Sequence, residues 1–105
     1  MPTFRIAPDR LPPEGGRNFW QLGGHSLAVF NVAGEIHVIE DSCPHQGASL
    51  CTGKLDGPTI QCRAHGLRFD LRTGRLASGG PLSVARYALR REGDEWWLDL
   101  PDIDS

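Results

Sequence analysis

Two short segments of the chain each combine a cysteine with a histidine. Cys43 is followed by His45 in a C-x-H arrangement, and Cys62 is followed by His65 in a C-x-x-H arrangement, with sixteen residues between the pairs. Thiolate sulfur and imidazole nitrogen are soft or borderline donors that suit zinc and iron. Two matched pairs on neighbouring loops would bring four donors to one point, which indicates a metal centre far more strongly than one pair would.

Four kinds of site could use such residues: a disulfide, a structural zinc, an iron–sulfur cluster, or a nucleophile with its base. A disulfide framework is disfavoured because three cysteines cannot all pair within the chain and cytoplasmic thiols stay reduced. Zinc accepts two cysteines and two histidines, but its usual finger groups the cysteines together and the histidines together. Here they alternate. Alternation suits a two-iron cluster in which one iron takes both thiolates and the other takes both imidazoles.

The elements that must hold these segments are predicted to be short β-strands. Glycine and proline supply 13 and 8 of the 105 residues, which is too many for long helices. Apolar runs separated by tight-turn signals predict hairpins near both ends of the chain. The strands are predicted over residues 19–22, 27–32, 36–39, 59–62, 67–71, 85–90 and 96–100.

The predicted fold class is all-β, with a single domain over residues 1–105. A small antiparallel sandwich or barrel-like base is expected over 1–41 and 83–105. It carries a subdomain built from two loops over 42–82, since functional sites are commonly mounted on loops held by a rigid framework.

Composition and charge exclude several classes of function. The net charge of −2 and the pI near 6.0 give no reason to bind nucleic acid. No apolar stretch has the length of a membrane span or a signal peptide, so the chain is expected to stay in a reducing cytoplasm. Residues 43–82 carry five basic and two acidic side chains, which predicts a modestly basic tip on an acidic base.

The segment over residues 43–65 resembles the Rieske [2Fe–2S] motif, C-x-H followed by C-x-x-H. The resemblance extends to CPHQGA, CRAHG, the RFDLRTG turn and the Gly-Pro loop at 80–81, which occur in the order expected of Rieske ferredoxins. It implies one Rieske-type [2Fe–2S] cluster per chain, with two cysteines on the inner iron and two histidines on the outer iron near the surface. These ligands would be Cys43, Cys62, His45 and His65.

Departures from the family pattern bear on the redox chemistry. Rieske proteins of respiratory and photosynthetic complexes resemble this chain but join their loops with two further cysteines, at positions occupied here by Ala48 and Ala64. That disulfide cannot form here, which leaves Cys51 over as a small buried or semi-exposed thiol. The same proteins place a serine and a tyrosine, whose hydroxyls donate to cluster sulfur, where this sequence has Leu67 and Phe69.

Each missing hydroxyl lowers the reduction potential, because a donor to sulfur favours the extra negative charge of the reduced cluster. The low end of the Rieske range, roughly −150 mV, is therefore expected. Voltammetry that returned a potential above zero would contradict this expectation.

The resemblance implies an electron carrier rather than an enzyme. Similar ferredoxins carry single electrons from an NAD(P)H-dependent flavoprotein reductase to a terminal oxygenase that hydroxylates aromatic rings. Two alternatives stay open: a small subunit of an NAD(P)H nitrite reductase or other multi-subunit oxidoreductase, and a zinc-stabilised interaction domain without redox chemistry. A red-brown colour would exclude the last.

Further residues are assigned to the surface of the protein. Redox partners are expected to dock at the cluster tip, around His45, His65, Gln46 and Pro81. The two histidines outside the motif, His25 and His37, are expected to be surface residues.

Overall fold

The computed structural model of the chain describes residues 2–42, 49–63 and 66–101. Within these residues the regular structure is β-strand, apart from one short 3₁₀ turn over Pro8–Arg10. The all-β prediction is confirmed. The strands are β1 Thr3–Ile6, β2 Arg17–Leu22, β3 His25–Val32, β4 Glu35–Glu40, β5 Lys54–Asp56, β6 Thr59–Gln61, β7 Arg68–Asp70, β8 Arg86–Tyr87, β9 Leu89–Glu92 and β10 Glu95–Asp99.

The strands form three antiparallel sheets, in the orders β1-β10-β9, β2-β3-β4-β8 and β5-β6-β7. The third sheet lies wholly between residues 54 and 70, inside the region that the sequence assigns to the loop-built subdomain. Two-residue turns close the predicted hairpins. Gly23 and Gly24 have φ of 56° and 83° between β2 and β3, and Ala33 and Gly34 have φ of 52° and 90° between β3 and β4. Turns with two positive φ values match the twist of paired strands.

The four-stranded sheet is the middle layer because alternate residues of β3 enter two different cores. One face supplies Leu27 and Val29 to the base core, and the other supplies Ala28 and Phe30 to the cluster-side core. The base core comprises Ile6, Trp20, Leu27, Val29, Val38, Leu98 and Leu100. The cluster-side core comprises Ala28, Phe30, Ile39, Leu50, Ile60, Cys62, Phe69, Leu71 and Val84.

The expectation that His25 and His37 are surface residues is wrong. The exposed fraction is 5% for His25 and 7% for His37. By strand alternation, His25 lies on the same face of the middle sheet as Leu27, in the base core, and its ring contacts Glu40 and the Pro101 carbonyl. His37 lies on the opposite face with Ile39, on the side of the cluster-side core. Both faces of this sheet are covered, so both histidines are buried.

The structure also bears on membrane association. Among the residues it describes, no helix has the length and apolar character needed to span a bilayer.

Candidate metal centre

The second Cys-His segment begins where β6 ends, at Cys62, whose side chain is fully buried. The Cys62 N–H donates to the Leu67 carbonyl at 2.7 Å, and the Gly66 N–H donates to the Cys62 carbonyl at 2.9 Å. Gly66 has φ of 70°, a left-handed conformation that glycine adopts without strain. The backbone therefore leaves the third sheet at Cys62 and returns at Leu67, and these two hydrogen bonds join the described ends of the loop.

Cys62 belongs to the cluster-side core and shares it with Phe69, which is also fully buried. Leu67 packs against the same core. Among the described residues, no side-chain hydroxyl makes a hydrogen bond to the Cys62 sulfur. The surroundings of this sulfur are thus apolar, in keeping with the absence of the serine and tyrosine hydroxyls noted in the sequence.

The remaining predicted ligands, Cys43, His45 and His65, lie outside the described residues, as do Gln46, Ala48 and Ala64. The four-ligand assignment therefore stays a prediction from sequence. Pro81, the last of the predicted docking residues, is exposed, as a loop residue at a contact surface would be.

The roots of the two ligand loops lie against each other. Gly53 follows the first loop, and a β-carbon placed on it would lie 2.2 Å from the carbonyl oxygen of Gln61, the residue before Cys62. Real Cβ atoms do not approach backbone so closely, so only glycine fits this crossing. This close backbone contact, beside the pairing of Lys54 with Gln61 in β5 and β6, therefore connects the exit of the first loop to the entrance of the second.

Cys51 is half-buried on the same segment. Its sulfur lies 3.6 Å from the Asn18 carbonyl, to which the thiol donates. Burial, followed by the nearby carboxylate of Asp41, raises the pKa of the Cys51 thiol above its ordinary value. The thiol is therefore held in its protonated form, which suits a packing residue and disfavours a metal ligand or a nucleophile.

Basic side chains of the predicted tip are exposed. Asp70 pairs with Arg72 at 2.8 Å, and this guanidinium holds the pKa of the Asp70 carboxyl below its ordinary value. Across the described part of the chain, the other four make no ion pair within 4.0 Å, so their charges are available to a partner. These four are Lys54, Arg63, Arg68 and Arg75.

A shallow cavity of about 370 Å³ borders the second ligand loop. It is lined by Gly66, Leu67, Arg68, Leu76, Ala77 and Ser78. A smaller cavity of about 190 Å³ is lined by Arg75 and by the loop that contains Pro81. These cavities give the surface beside the second loop a mixed apolar and basic character.

A model of the Rieske [2Fe–2S] domain matches residues 3–88 of the chain. The chain is a Rieske protein.

Sequence relatives of this Rieske protein are ferredoxin subunits. The 3-phenylpropionate/cinnamic acid dioxygenase ferredoxin subunit of Shigella flexneri serotype 5b is 40% identical over 80 residues, which cover 72% of this chain and 74% of the relative. The subunit of the same name from Escherichia coli strain K12 is 39% identical with the same coverage. This Rieske protein is accordingly an electron-transfer component rather than a catalyst.

Solved structures agree. A ferredoxin of Sphingomonas yanoikuyae B1 superposes with a TM-score of 0.79 at 30% identity, covering 95% of this chain and all of that one. The ferredoxin of carbazole 1,9a-dioxygenase from Nocardioides aromaticivorans IC177 gives 0.76 at 29% identity, covering 91% and 95%. The fold of this Rieske protein is therefore the fold of dioxygenase ferredoxins, and the nitrite reductase alternative is not favoured.

The family implies a Rieske-type [2Fe–2S] cluster, and the described part of the site fits it. Cys62 presents a buried sulfur at the root of a tight loop, without a hydrogen bond from a described side chain that would compete for it. Two thiolates and two imidazoles are the donor set that such a cluster takes. Two cysteines and two histidines would also suit zinc, so it is the match to the Rieske [2Fe–2S] domain that sets the zinc-stabilised interaction domain aside.

The sequence did not single out Gly53, Arg17 or Asp41, which the structure places at the roots of the ligand loops. The position of Asp41, two residues before the first ligand cysteine, was the one available signal.

Proposed function

We propose that this Rieske protein carries single electrons from an NAD(P)H-dependent flavoprotein reductase to a terminal, aromatic-ring-hydroxylating oxygenase. The observation that carries the proposal is the match to dioxygenase ferredoxins over most of the chain, in sequence and in fold. One related structure is a complex of reduced oxygenase and oxidised ferredoxin in carbazole 1,9a-dioxygenase, at 30% identity and a TM-score of 0.74. An oxygenase is therefore the partner that best suits this chain.

In this proposal Cys43 and Cys62 hold one iron, and His45 and His65 hold the other. When bound, the cluster supplies a site that takes up and releases one electron. The protein's own part is to keep water and hydroxyl donors from the sulfur side, which the apolar surroundings of Cys62 do, and to present the histidine side to the partner. Low polarity around the sulfur keeps the reduction potential low.

Docking is proposed to use the tip around His45, His65, Gln46 and Pro81, together with the exposed basic residues beside it. Exposed charges steer association when the partner carries the opposite charge, and salt screens that attraction. The acceptor surface is therefore proposed to be acidic. A rate of electron transfer that does not change with ionic strength would contradict this part of the proposal.

Reconstitution tests the function. The purified protein should be red-brown, and it should restore product formation when it replaces the native ferredoxin in a ring-hydroxylating dioxygenase assay with reductase and oxygenase. Failure to transfer electrons, in an assay that the native ferredoxin completes, would contradict the oxygenase pathway.

A pair of variants tests the docking surface. Arg68→Gln removes an exposed charge beside the second ligand loop, and Arg5→Gln removes an exposed charge on β1, in the sheet that packs on the opposite face of the middle layer. At low salt, Arg68→Gln should slow transfer several-fold and Arg5→Gln should not. Equal effects would show that net charge matters and the location of the charge does not.

A further inference from the structure

The first ligand loop starts and ends beside one carboxylate. Asp41 follows β4, and its N–H donates to the Ser26 carbonyl on β3 at 2.8 Å, which fixes its backbone to the middle sheet. Its carboxylate accepts from the Ser49 hydroxyl at 2.8 and 3.0 Å and from the Cys51 N–H at 2.6 Å. Residues on both sides of the segment 43–48 are thus fastened to the same side chain.

A guanidinium holds the same segment from the other side. Nη1 of Arg17, on β2, donates to the Cys51 carbonyl at 2.9 Å and also to the Gly53 carbonyl. The guanidinium carbon lies 5.6 Å from the centre of the Phe30 ring, in a cation–π contact that keeps the long side chain against the cluster-side core. Cys51 therefore has its N–H held by Asp41 and its carbonyl held by Arg17.

The held segment sets the position of both loops. Gly53, whose carbonyl Arg17 binds, lies against the backbone of Gln61, and Gln61 precedes Cys62. A shift of residues 49–53 would therefore change the separation between the root of the first loop and the buried cysteine of the second. Ala48 and Ala64 cannot form a covalent link between the loops, so this alignment depends on non-covalent contacts.

We propose that Asp41 and Arg17 are positioning residues for the cluster. Their hydrogen bonds to residues 49–53, which we call the neck clasp, fix the first ligand loop relative to the second. The proposal rests on the ligand assignment of the proposed function. It adds a prediction that neither the family nor the ligands make, namely that two side chains outside the ligand motif control how firmly the cluster is held.

The test measures cluster retention separately from folding. In holoprotein, Asp41→Ala and Arg17→Met should speed chelator-driven bleaching of the visible absorption by about 10-fold, the lower end of the roughly 10- to 100-fold loss of metal affinity that follows removal of a group bonded directly to a ligand. Bleaching is measured well below the unfolding midpoint, and far-UV circular dichroism checks the fold. The electron paramagnetic resonance spectrum of the reduced protein should broaden, because the ligand geometry becomes less uniform.

Matched controls come from an ion pair in the base. Asp99 and Arg90 pair at 2.8 Å between β10 and β9, and Asp99 also accepts from Thr3 at 2.8 Å. Asp99→Ala and Arg90→Met remove similar groups from the outer sheet and should leave bleaching unchanged. If the clasp variants bleach no faster than these controls, the proposal is wrong.

Two further variants keep the test decisive if Asp41→Ala does not fold. Asp41→Asn retains one acceptor for the Cys51 N–H and should bleach at an intermediate rate, and Ser49→Ala should give a smaller increase of a few-fold. Wild-type rates in both would overturn the proposal. A wild-type protein that binds no iron–sulfur cluster would instead overturn the proposed function, so the two failures are distinguishable.

Discussion

Glu40 and Asp41 are neighbours at the end of β4, yet their carboxylates fasten two different regions of the molecule. Glu40 accepts from the Tyr87 hydroxyl at 2.9 Å and lies 3.2 Å from Nδ1 of His25, so it connects strands that already pair through their backbones. Asp41 binds Ser49 and Cys51, which lie outside the strands. Near Glu40, backbone pairing between strands also maintains the backbone geometry. Near Asp41, a few side-chain hydrogen bonds determine the backbone geometry.

This contrast separates stability from cofactor binding. Loss of a polar contact in the base should lower the free energy of unfolding and leave the site intact, because β-strand pairing maintains the backbone. Loss of a contact at the roots of the ligand loops should affect the cluster first.

Replacement of Cys62 by serine should abolish cluster binding, and replacement of Cys51 by serine should not. Cys62→Ser removes a proposed iron ligand from a fully buried site, so iron content and visible absorption should fall to near zero. Cys51→Ser should keep both, since a serine hydroxyl can donate to the Asn18 carbonyl in place of the thiol. Iron and sulfide analysis of the purified proteins measures the cluster content. A colourless Cys51→Ser protein would contradict the assignment of Cys51 as a packing residue.

Gly53 and Gly57 offer a matched pair of glycines. Gly53→Ala forces backbone apart at the contact with Gln61 and should cost about 3 kcal/mol of unfolding free energy, together with faster cluster loss. Gly57→Ala, at φ of 55° in open space, should cost about 1 to 2 kcal/mol from backbone strain alone, with normal cluster retention. Urea unfolding and chelator bleaching measure the two quantities, and equal bleaching in both variants would contradict the role of Gly53.

His25 should make the base lose stability as the pH rises. Its Nε2 lies 2.8 Å from the Pro101 carbonyl and its Nδ1 faces Glu40, so both nitrogens meet acceptors. A neutral ring can donate from only one nitrogen. The Pro101 hydrogen bond first, and then Glu40, raise the pKa of His25 above 6.5, although burial opposes them.

The stabilisation from His25 is therefore complete below pH 6.5 and is lost as the pH rises through the raised pKa. His25→Gln should cost about 1 to 2 kcal/mol below pH 6.5 and less above it. The measurement is the difference in unfolding free energy from wild type across pH, which cancels the titration of other groups. A difference that does not change with pH would rule out the charged ring.

His37 should have the opposite effect on stability from His25, so that the protein loses stability as the pH falls. Burial lowers the pKa of His37 below 6.5, and within the described residues its Nε2 has no hydrogen-bond partner, with the Glu35 carboxylate 4.0 Å away. Its contribution to stability is complete above pH 6.5 and is lost as the pH falls below it. Below pH 6.5, the unfolding free energy of His37→Phe should rise relative to wild type by about 1 kcal/mol. A constant difference between pH 5 and 8 would be the contrary result.

The smallest effect is expected at Ala33, in the turn between β3 and β4. Its φ of 52° costs a residue with a β-carbon about 1 kcal/mol relative to glycine. Ala33→Gly should stabilise the protein by only about 0.5 kcal/mol, because glycine gains conformational freedom in the unfolded chain that offsets part of the relieved strain, and it should not change cluster retention. Thermal unfolding of the holoprotein should show the gain, and a loss of stability would mean that the Ala33 methyl makes a contact of its own.

Local patterns predicted the parts of this molecule that depend on neighbours in sequence. The glycine-containing turns at 23–24 and 33–34 are where the hairpins close, and the Cys-His spacing identified the family. Sequence patterns did not predict side-chain contacts over long separations, such as that of Arg17 with Cys51, 34 residues away. They also did not predict the close approach of Gly53 to Gln61 beside the β5–β6 hairpin, which the sequence marks only by the glycine itself.

The error over His25 and His37 has the same origin. Strands over 59–62 and 67–71 were predicted, but nothing in their sequence shows that they form a sheet that covers the face of β4 where His37 lies. His25 is covered on the other face by a contact with Pro101, 76 residues away. Phe30 and Ile39, on the face where His37 lies, show in retrospect that both faces of the middle sheet are apolar.

The double-sided burial of β3 has a consequence for protein engineering. Leu27 and Val29 pack in the base core, while Ala28 and Phe30 pack in the cluster-side core. Residues 42–82 therefore cannot be moved to another protein on their own. A graft of residues 42–82 onto a foreign scaffold would lack four of the nine buried residues of the cluster-side core. Any successful chimera of this protein must carry β3 and β4 along with the ligand loops.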